Sequence, residues 1–250
     1  MSGESGRREG SPGDADAGRI DQAWYDDSTY FDGDTAHLTD LDSPFQRYRI
    51  RKVLDIAAPA PTDCVVDLGC GWGTFEFVLA DRVREIVGID FSARSIELCN
   101  DRLAREPRDN VRFVQADAGD TGLAGGAWDL VICADLFEHL YPEDSQRVAA
   151  EAFRLLRPGG RFSVWTPHRG HILEILKNNR ILLKPDPSHV DYKSMARMKG
   201  LVTEAGFEIE RAYYAESHLP GLRAAERMLS GIVPFLRRRI AVLGRKPTST

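Results

Sequence analysis

The sequence predicts an α/β fold in which a parallel sheet is covered by helices on both faces. Short apolar runs bounded by turn residues recur along the chain, and stretches of helical periodicity lie between most of them. A glycine-rich turn directly follows the first apolar run, where a strand–turn–helix unit can bring its backbone close to a ligand. With 250 residues, 42% of them hydrophobic, the chain can bury one substantial core.

The apolar runs predict seven strands. In chain order they are Cys64–Leu68, Glu85–Ile89, Val111–Gln115, Leu130–Ala134, Phe162–Trp165, Phe207–Tyr214 and Arg239–Leu243. Helical periodicity predicts the helices Pro44–Ala57, Thr74–Asp81, Ser92–Ala104, Pro142–Leu156 and Lys193–Ala205. Between the fourth helix and the fifth strand, the run Arg157-Pro158-Gly159-Gly160 predicts a helix stop and a turn.

The composition changes along the chain in a way that suggests its domain organisation. Residues 1–19 are rich in glycine, serine and charged residues and are predicted to be a disordered tail. Residues 20–250 are predicted to form one domain, with an N-terminal cap that contains the aromatic cluster Trp24–Phe31. An insertion is predicted near residues 216–236, before the last strand.

The insertion carries an apolar stripe at helical spacing that runs from Leu222 to Leu236, and basic residues follow it. A basic amphipathic segment can lie on a membrane surface and admit a lipid-like substrate. The same stripe can instead pack on its own domain as a lid over a pocket. Residues 222–239 therefore predict either a lid or a peripheral membrane contact.

Charge and cysteine content exclude some classes of partner and compartment. The 33 basic and 38 acidic residues leave a net charge of −5, which favours no nucleic-acid partner. The four cysteines, Cys64, Cys70, Cys99 and Cys133, show no close pairing and are typical of a reducing compartment. No apolar run reaches about 20 residues and no signal peptide is evident. A cytoplasmic location is expected.

The glycine-rich turn suggests a nucleotide-type cofactor. Gly69, Gly71 and Gly73 are spaced two and two, whereas a dinucleotide fingerprint needs its third glycine three residues after the second. Asp90 ends the second strand, and its carboxylate can accept hydrogen bonds from the two vicinal hydroxyls of a ribose. Asp117 follows the third strand and is suited to accept from the exocyclic amine of adenine.

Taken together, five elements resemble the class I S-adenosylmethionine-dependent methyltransferases over about residues 44–215: Asp67–Gly73, Asp90, Asp117, Trp128–Ala134 and Leu156–Gly160. The resemblance implies a Rossmann-like, seven-stranded, mostly parallel sheet with an antiparallel last strand. It also implies S-adenosylmethionine as cofactor. The cofactor-binding residues that it implies are Arg47, Asp67, Gly69, Cys70, Gly71, Gly73, Asp90, Phe91, Asp117, Ala118 and Ala134.

Within this class, the segment Ala134–Leu140 resembles the ubiquinone-biosynthesis-type O-methyltransferases. Asp135, Glu138 and His139 are spaced i, i+3, i+4 and would share one face of a helical turn. Two carboxylates and an imidazole there could hold a divalent ion such as Mg²⁺. Alternatively, Glu138 and His139 orient the loop, with His139 at the mouth of the site. His139 and His168 are the candidate catalytic bases for deprotonating an acceptor hydroxyl.

The function expected from these observations is methyl transfer from S-adenosylmethionine to a small molecule. The expected reaction is O-methylation of a hydroxyl on an aromatic, quinone-like or lipid-like acceptor. One alternative is N- or C-methylation of a small metabolite, and another is a module that binds the cofactor without turnover. The sequence leaves the oligomeric state open.

Overall fold

The computed structural model describes residues 19–27, 30–31, 38–178, 188–218, 220–229 and 231–248. The statements below concern these residues. The predicted disordered tail, residues 1–19, lies outside the described residues except for Arg19.

A single sheet forms the centre of the molecule, and its seven strands lie in the order β3-β2-β1-β4-β5-β7-β6. The strands are β1 (Cys64–Leu68), β2 (Glu85–Asp90), β3 (Val111–Gln115), β4 (Trp128–Ala134), β5 (Leu156–Pro167), β6 (Glu208–Ala215) and β7 (Arg239–Arg245). Strands β1 to β5 pair in parallel, whereas β7 runs antiparallel to both β5 and β6. The predicted mostly parallel sheet with an antiparallel last strand is confirmed.

Helices cover both faces of this sheet. They are α1 (Gln22–Asp27), α2 (Pro44–Ala57), α3 (Thr74–Leu79), α4 (Ala93–Arg105), α5 (Pro142–Leu155), α6 (Ile172–Asn178), α7 (Met195–Glu204) and α8 (Pro220–Leu229). One buried apolar cluster joins α2, α3 and α4 to the sheet, and a second joins α5 and α7 to its other face. Serine side chains cap α2, α4 and α7 by accepting a backbone N–H of the first turn.

The fifth strand is longer than predicted. The predicted turn at 157–160 lies inside β5. Leu156 before it pairs with Trp128 of β4, and Arg161 after it pairs with Leu130, so β5 has more residues than β4 between the two pairs. The extra residues form a bulge, and its backbone groups form hydrogen bonds with Lys246, the residue that follows β7. Gly159 donates its N–H to the Lys246 carbonyl at 2.9 Å, and Lys246 donates to the Gly160 carbonyl at 2.8 Å.

The apolar stripe of the insertion does not form one continuous helix. Helix α8 ends at Leu229, and a separate 3₁₀ turn follows at Pro234–Leu236. Pro234 has no N–H to continue a helical ladder, which explains the separate turn. No helix in the described parts of the chain is long and apolar enough to cross a bilayer.

The strand order determines where a ligand can bind. From β1 the chain proceeds outward to β2 and β3 and then returns to β4 on the other side of β1. In open parallel sheets, a crevice forms at the carboxyl ends of the strands where the order reverses. The glycine-rich turn after β1 and the acidic residue at the end of β2 both lie at this point.

Candidate active site

A cavity of about 880 Å³ opens at the carboxyl ends of the central strands. The structure brings most of the predicted site residues to its wall. They are Gly69, Cys70, Gly71, Asp90, Phe91, Asp117, Ala118, Ala134 and His139. Arg47, Asp67, Gly73 and His168 do not contribute to the wall. Glu138, Pro167, Glu174, His189 and Arg239 also line the cavity.

The glycine-rich turn adopts a backbone that favours glycine. Gly69, Gly71 and Gly73 have φ angles of +77°, +53° and +66°. The backbone N–H groups of Gly69 and Cys70 donate to the Ile89 carbonyl at 2.8 and 2.9 Å, which holds the turn against β2. A Cβ at Gly71 would meet no described atom within 4 Å. The turn therefore forms a cradle that a ligand can approach closely.

Asp90 links this cradle to the start of α4. One carboxylate oxygen accepts the Gly71 N–H at 2.9 Å, and the other accepts the Ser92 N–H at 3.0 Å. Burial raises the pKa of Asp90, and these backbone donors oppose the rise. Each carboxylate oxygen has a second lone pair, so Asp90 can accept from ribose hydroxyls while it holds the turn.

Two further buried carboxylates lie behind the turn. Among the described residues, Oδ1 of Asp67 and both carboxylate oxygens of Glu76 have no hydrogen-bond partner. Burial raises the pKa of Asp67 to about 8, and the Arg49 guanidinium opposes this shift. An unpaired oxygen beneath the cradle fits a group that brings its own donor, such as the amino group of a methionine moiety. No sequence motif distinguishes Glu76 from an ordinary acid in the first turn of a helix.

Of the arginines on α2, Arg49 lines the cavity, whereas Arg47, the predicted residue, does not. The Arg47 side chain is 71% exposed and pairs with Asp42 at 3.3 Å, outside the cavity. Two residues further along α2, a rotation of about 200° carries Arg49 to the opposite side of the helix. Arg49 Nε donates to Asp135 Oδ2 at 2.7 Å, and its Nη2 donates to the Ala134 carbonyl at 3.3 Å.

The predicted adenine end of the cavity is open and polar. Asp117 is half-exposed, pairs with Arg147 at 2.9 Å and accepts the Gly119 N–H at 2.7 Å. Aromatic side chains from the N-terminal segment cover the neighbouring wall. The Tyr25 ring lies 5.2 Å from the ring of Phe91. Their stacking surface suits a planar base or ribose.

His139 lies on a 3₁₀ turn, Phe137–His139, directly after β4. Its Nδ1 is 3.0 Å from the Ser188 carbonyl and 3.1 Å from the Tyr25 hydroxyl. Because a carbonyl oxygen only accepts, Nδ1 carries the proton, and in the neutral ring the basic lone pair is on Nε2. The local fold thereby selects the tautomer that a general base requires.

Glu138 and Asp135 have opposite electrostatic environments although they are three residues apart. Burial and the nearby Asp135 raise the pKa of Glu138 to about 8, and Thr166 donates to its Oε2 at 2.9 Å. Burial also raises the pKa of Asp135, but the Arg239 and Arg49 guanidinium groups bring it below its usual value. Asp135 is therefore an ionised partner of two arginines.

This pairing corrects the predicted metal set of Asp135, Glu138 and His139. The donor atoms that lie within 4.8 Å of one another are those of Glu138, His139 and His189. His189 Nδ1 is 2.6 Å from the Tyr192 hydroxyl, which donates to Glu174 at 3.0 Å. Two imidazoles and a carboxylate suit Mn²⁺, Fe²⁺ or Zn²⁺ better than Mg²⁺. The two histidines are 50 positions apart in the chain, and this spacing does not indicate that they meet.

His168, the other predicted catalytic base, does not line the cavity. Its Nδ1 lies 3.0 Å from the Arg237 carbonyl, and its ring packs against Tyr214 at 5.1 Å. Burial lowers its pKa. The strand does reach the cavity, but only through the preceding residue, Pro167.

Lys193 holds the 3₁₀ turn Phe137–His139 and the His189 segment together. Its buried Nζ donates to the carbonyls of Phe137, Leu140 and Asp191 at 2.9 to 3.0 Å and pairs with the Asp191 carboxylate at 2.8 Å. No motif in the sequence distinguishes this lysine from those on the surface. The structure assigns it the role of anchoring two segments that lie more than 50 residues apart.

We expect Lys193→Met to lower the free energy of unfolding by about 3 kcal/mol, because it leaves buried carbonyls and a carboxylate without their donor. Urea denaturation followed by circular dichroism measures the loss. Lys199→Met, at an exposed position of α7, is the matched control and should change stability by less than about 0.5 kcal/mol. Equal stability of the two variants would contradict the anchoring role.

The raised pKa of Glu138 predicts a pH dependence of stability. An unfolded glutamate titrates near pH 4.3, whereas in the folded protein the pKa is about 8. The folded state therefore holds the extra proton between these values, and stability falls as the pH rises through this window. In Glu138→Gln this contribution is absent. The decline from about pH 5 to about pH 8 should then be shallower by on the order of 1 kcal/mol per pH unit.

Urea denaturation of both proteins at several pH values checks this expectation. The buried Asp67, whose pKa is also raised, contributes a decline of the same sign to both proteins and so cancels in the difference. Parallel profiles for the wild type and Glu138→Gln would show that Glu138 is ionised in the folded protein.

Comparison with known proteins agrees with the geometry. Residues 65–160 match the family model of a methyltransferase domain. A probable S-adenosylmethionine-dependent methyltransferase of Mycolicibacterium smegmatis is 31% identical over 152 residues, 58% of this chain and 52% of that protein. Nocamycin O-methyltransferase of Saccharothrix syringae is 33% identical over 126 residues, 49% of this chain and 44% of that protein. The chain thus spans about half the length of these relatives.

A solved structure of similar fold is phosphoethanolamine N-methyltransferase 2 of Haemonchus contortus, in complex with phosphomonomethylethanolamine and S-adenosylhomocysteine. Its TM-score is 0.70 at 14% identity, over 90% of this chain and 60% of that one. This likeness concerns the fold alone. The matched family, the relatives and the cradle of Gly69–Gly73 with Asp67 and Asp90 agree on the cofactor. Residues 65–160 are thus similar to the domain of S-adenosylmethionine-dependent methyltransferases.

Proposed function

We propose that this protein transfers the methyl group of S-adenosylmethionine to a hydroxyl of a small molecule and that His139 is the general base. The observation that carries the proposal is the position of His139. It lines the same cavity as Ala134 and the glycine cradle, with its Nδ1 held by the Ser188 carbonyl. A hydroxyl loses a proton during methylation, and a positioned imidazole can accept it near neutral pH.

The bound cofactor supplies a methyl group that is already activated by the sulfonium. The cradle, Asp67 and Arg49 would hold its methionine portion, Asp90 the ribose, and Asp117 with Ala118 the adenine. The remaining contribution of the protein is to place the acceptor oxygen in line with that methyl group, which is an effect of orientation. His139 takes the hydroxyl proton on Nε2.

The acceptor class is proposed as aromatic, quinone-like or lipid-like. The aromatic residues Trp24, Tyr30 and Phe45 contribute to the cavity wall, which supports an apolar acceptor. The similarity to an enzyme named as an O-methyltransferase and the resemblance of Ala134–Leu140 to ubiquinone-type O-methyltransferases point to oxygen. The four free, buried cysteines support the cytoplasm as the location.

A screen of small-molecule extracts with methyl-labelled cofactor tests the proposal. Mass spectrometry of the labelled product should place the label on an oxygen. Label on nitrogen or carbon would instead establish the alternative N- or C-methyltransferase. Tight cofactor binding with no labelled product and no S-adenosylhomocysteine would establish a non-catalytic binding module.

A second candidate role for the same cluster is metal binding, because Glu138, His139 and His189 present their donor atoms within 4.8 Å of one another. Dialysis against EDTA separates the two roles. A base-only site keeps its activity after dialysis. A metal site loses activity and regains it when Mn²⁺ or Mg²⁺ is added, with the greater recovery for Mn²⁺.

A further inference from the structure

Helices α6 and α8 each bury an acid and expose large apolar side chains. In α8, Glu226 is 1% exposed while Met228 is 78% exposed. In α6, Glu174 is buried and lines the cavity, while Ile172 and Ile175 are exposed. A helix on a globular surface ordinarily turns its apolar face inward and its charges to water. These two helices turn acids inward and apolar side chains outward.

The outward side chains belong to one edge of the molecule, here called the apolar edge. It consists of Ile172, Ile175, Met228, Leu229, Ile232 and Phe235, which are all the large apolar side chains that are exposed in the described parts of the chain. Both helices adjoin the same end of the sheet, because Pro167 of β5 pairs with Arg239 of β7. His171 Nε2 lies 3.1 Å from Glu226 Oε1 and connects the two segments.

The charge around the apolar edge is positive. Arg169, just before α6, and Arg227 of α8 are exposed. Glu226 is the only acidic residue in the described part of the chain after residue 220. It is buried against His171 and the Ser217 N–H. Glu216, which follows β6 and is partly exposed, is held between Lys52 at 3.3 Å and Arg227 at 3.1 Å. The edge therefore combines exposed apolar side chains with exposed guanidinium groups.

We propose that the apolar edge docks on the surface of an anionic lipid bilayer. Apolar side chains would insert at the boundary between headgroups and acyl chains, and arginines would pair with acidic headgroups. A second copy of the chain fits this edge less well, because two copies would bring Arg169 and Arg227 of each against like charges. Scattered exposed apolar residues are ordinary, whereas their confinement to one edge marks an interaction surface.

Docking would place the cavity next to the bilayer, since Glu174 on the inner side of α6 is part of the cavity wall. A lipid-like acceptor could then pass directly from the membrane into the site. This route rests on the proposed function, whereas the docking itself does not. Binding to vesicles and methyl transfer are therefore measured separately.

Sedimentation of the full chain with vesicles tests the docking. One set of vesicles contains phosphatidylcholine alone, and the other contains equal parts of phosphatidylcholine and phosphatidylglycerol. The protein should sediment with the second set and remain in solution with the first. Met228→Ser combined with Ile232→Ser should lower partitioning by at least about tenfold. Arg169→Gln combined with Arg227→Gln should lower it by about tenfold or more.

The matched control is Arg82→Gln combined with Arg112→Gln, which removes two exposed charges elsewhere and should sediment like the wild type. Thermal melts verify that the variants fold, as expected for exposed positions. Failure of the wild type to bind either vesicle would overturn the proposal, and so would equal binding of the serine variant. A dimer that the serine substitutions dissociate would assign the edge to a second copy and also overturn it. Methylation of a water-soluble acceptor should be unchanged in the serine variant.

Discussion

Replacing Asp90 with alanine is expected to weaken S-adenosylmethionine binding by at least about a hundredfold. Asp90 accepts the N–H groups of Gly71 and Ser92 at 2.9 and 3.0 Å and so holds the cradle against the start of α4. Hydrogen bonds to a charged acceptor contribute about 1.5–3 kcal/mol each. Loss of the hydrogen bonds that Asp90 would accept from the two ribose hydroxyls corresponds to a factor of about 10² to 10⁴ in the dissociation constant.

Isothermal titration calorimetry with S-adenosylmethionine measures this effect. Asp101→Ala, which removes an exposed carboxylate from α4, is the matched control and should bind the cofactor as the wild type does. A circular dichroism melt distinguishes a folded Asp90→Ala protein from an unfolded one. If the folded variant bound within about threefold of the wild type, the role of Asp90 would be wrong.

Replacing His139 with alanine is expected to lower kcat by about 10² to 10⁴ and to leave the cofactor dissociation constant nearly unchanged. The ring is held for base catalysis by the Ser188 carbonyl at 3.0 Å, while the cofactor cradle lies on other residues. Loss of the base should also remove the acidic limb of the pH profile of kcat. If His139 had only a structural role, the acidic limb would remain in the variant, so the pH profile distinguishes proton transfer from a structural role.

His168→Gln is the control for this prediction, because His168 is a buried histidine that lies outside the cavity wall. It should lower the melting temperature and keep kcat within about threefold of the wild type. A His139→Ala protein with full activity would exclude His139 as the base. Equal losses of kcat in both variants would instead indicate a general loss of structure.

The cofactor half of the site could be read from the sequence because its signals are local. The run from Val65 to Gly73 encodes a buried strand, then a backbone with positive φ that glycine adopts most easily. Asp90 ends the parallel neighbour of that strand, so its place at the same edge follows from strand pairing. Neither inference requires knowledge of how distant side chains pack.

Which side of a helix faces the cavity could not be predicted from the sequence in the same way. Helix α2 carries cations at Arg47, Arg49, Arg51 and Lys52 and therefore offers a positive side chain in several directions. Only packing of the helix on the sheet shows that Arg49 faces the cavity and Arg47 faces Asp42. For the same reason, the stripe on α8 gave no indication that its apolar side chains would point outward.

The sequence by itself determined the α/β sheet and the glycine cradle, because strand periodicity and backbone conformation are properties of adjacent residues. Its resemblance to S-adenosylmethionine-dependent methyltransferases implied the cofactor. Tertiary structure alone decided that Asp135 is neutralised by Arg49 and Arg239 and that His139 meets His189. It also decided that Lys193 joins their two segments. Such meetings depend on the packing of segments that are far apart in the chain, and residue spacing does not encode that packing.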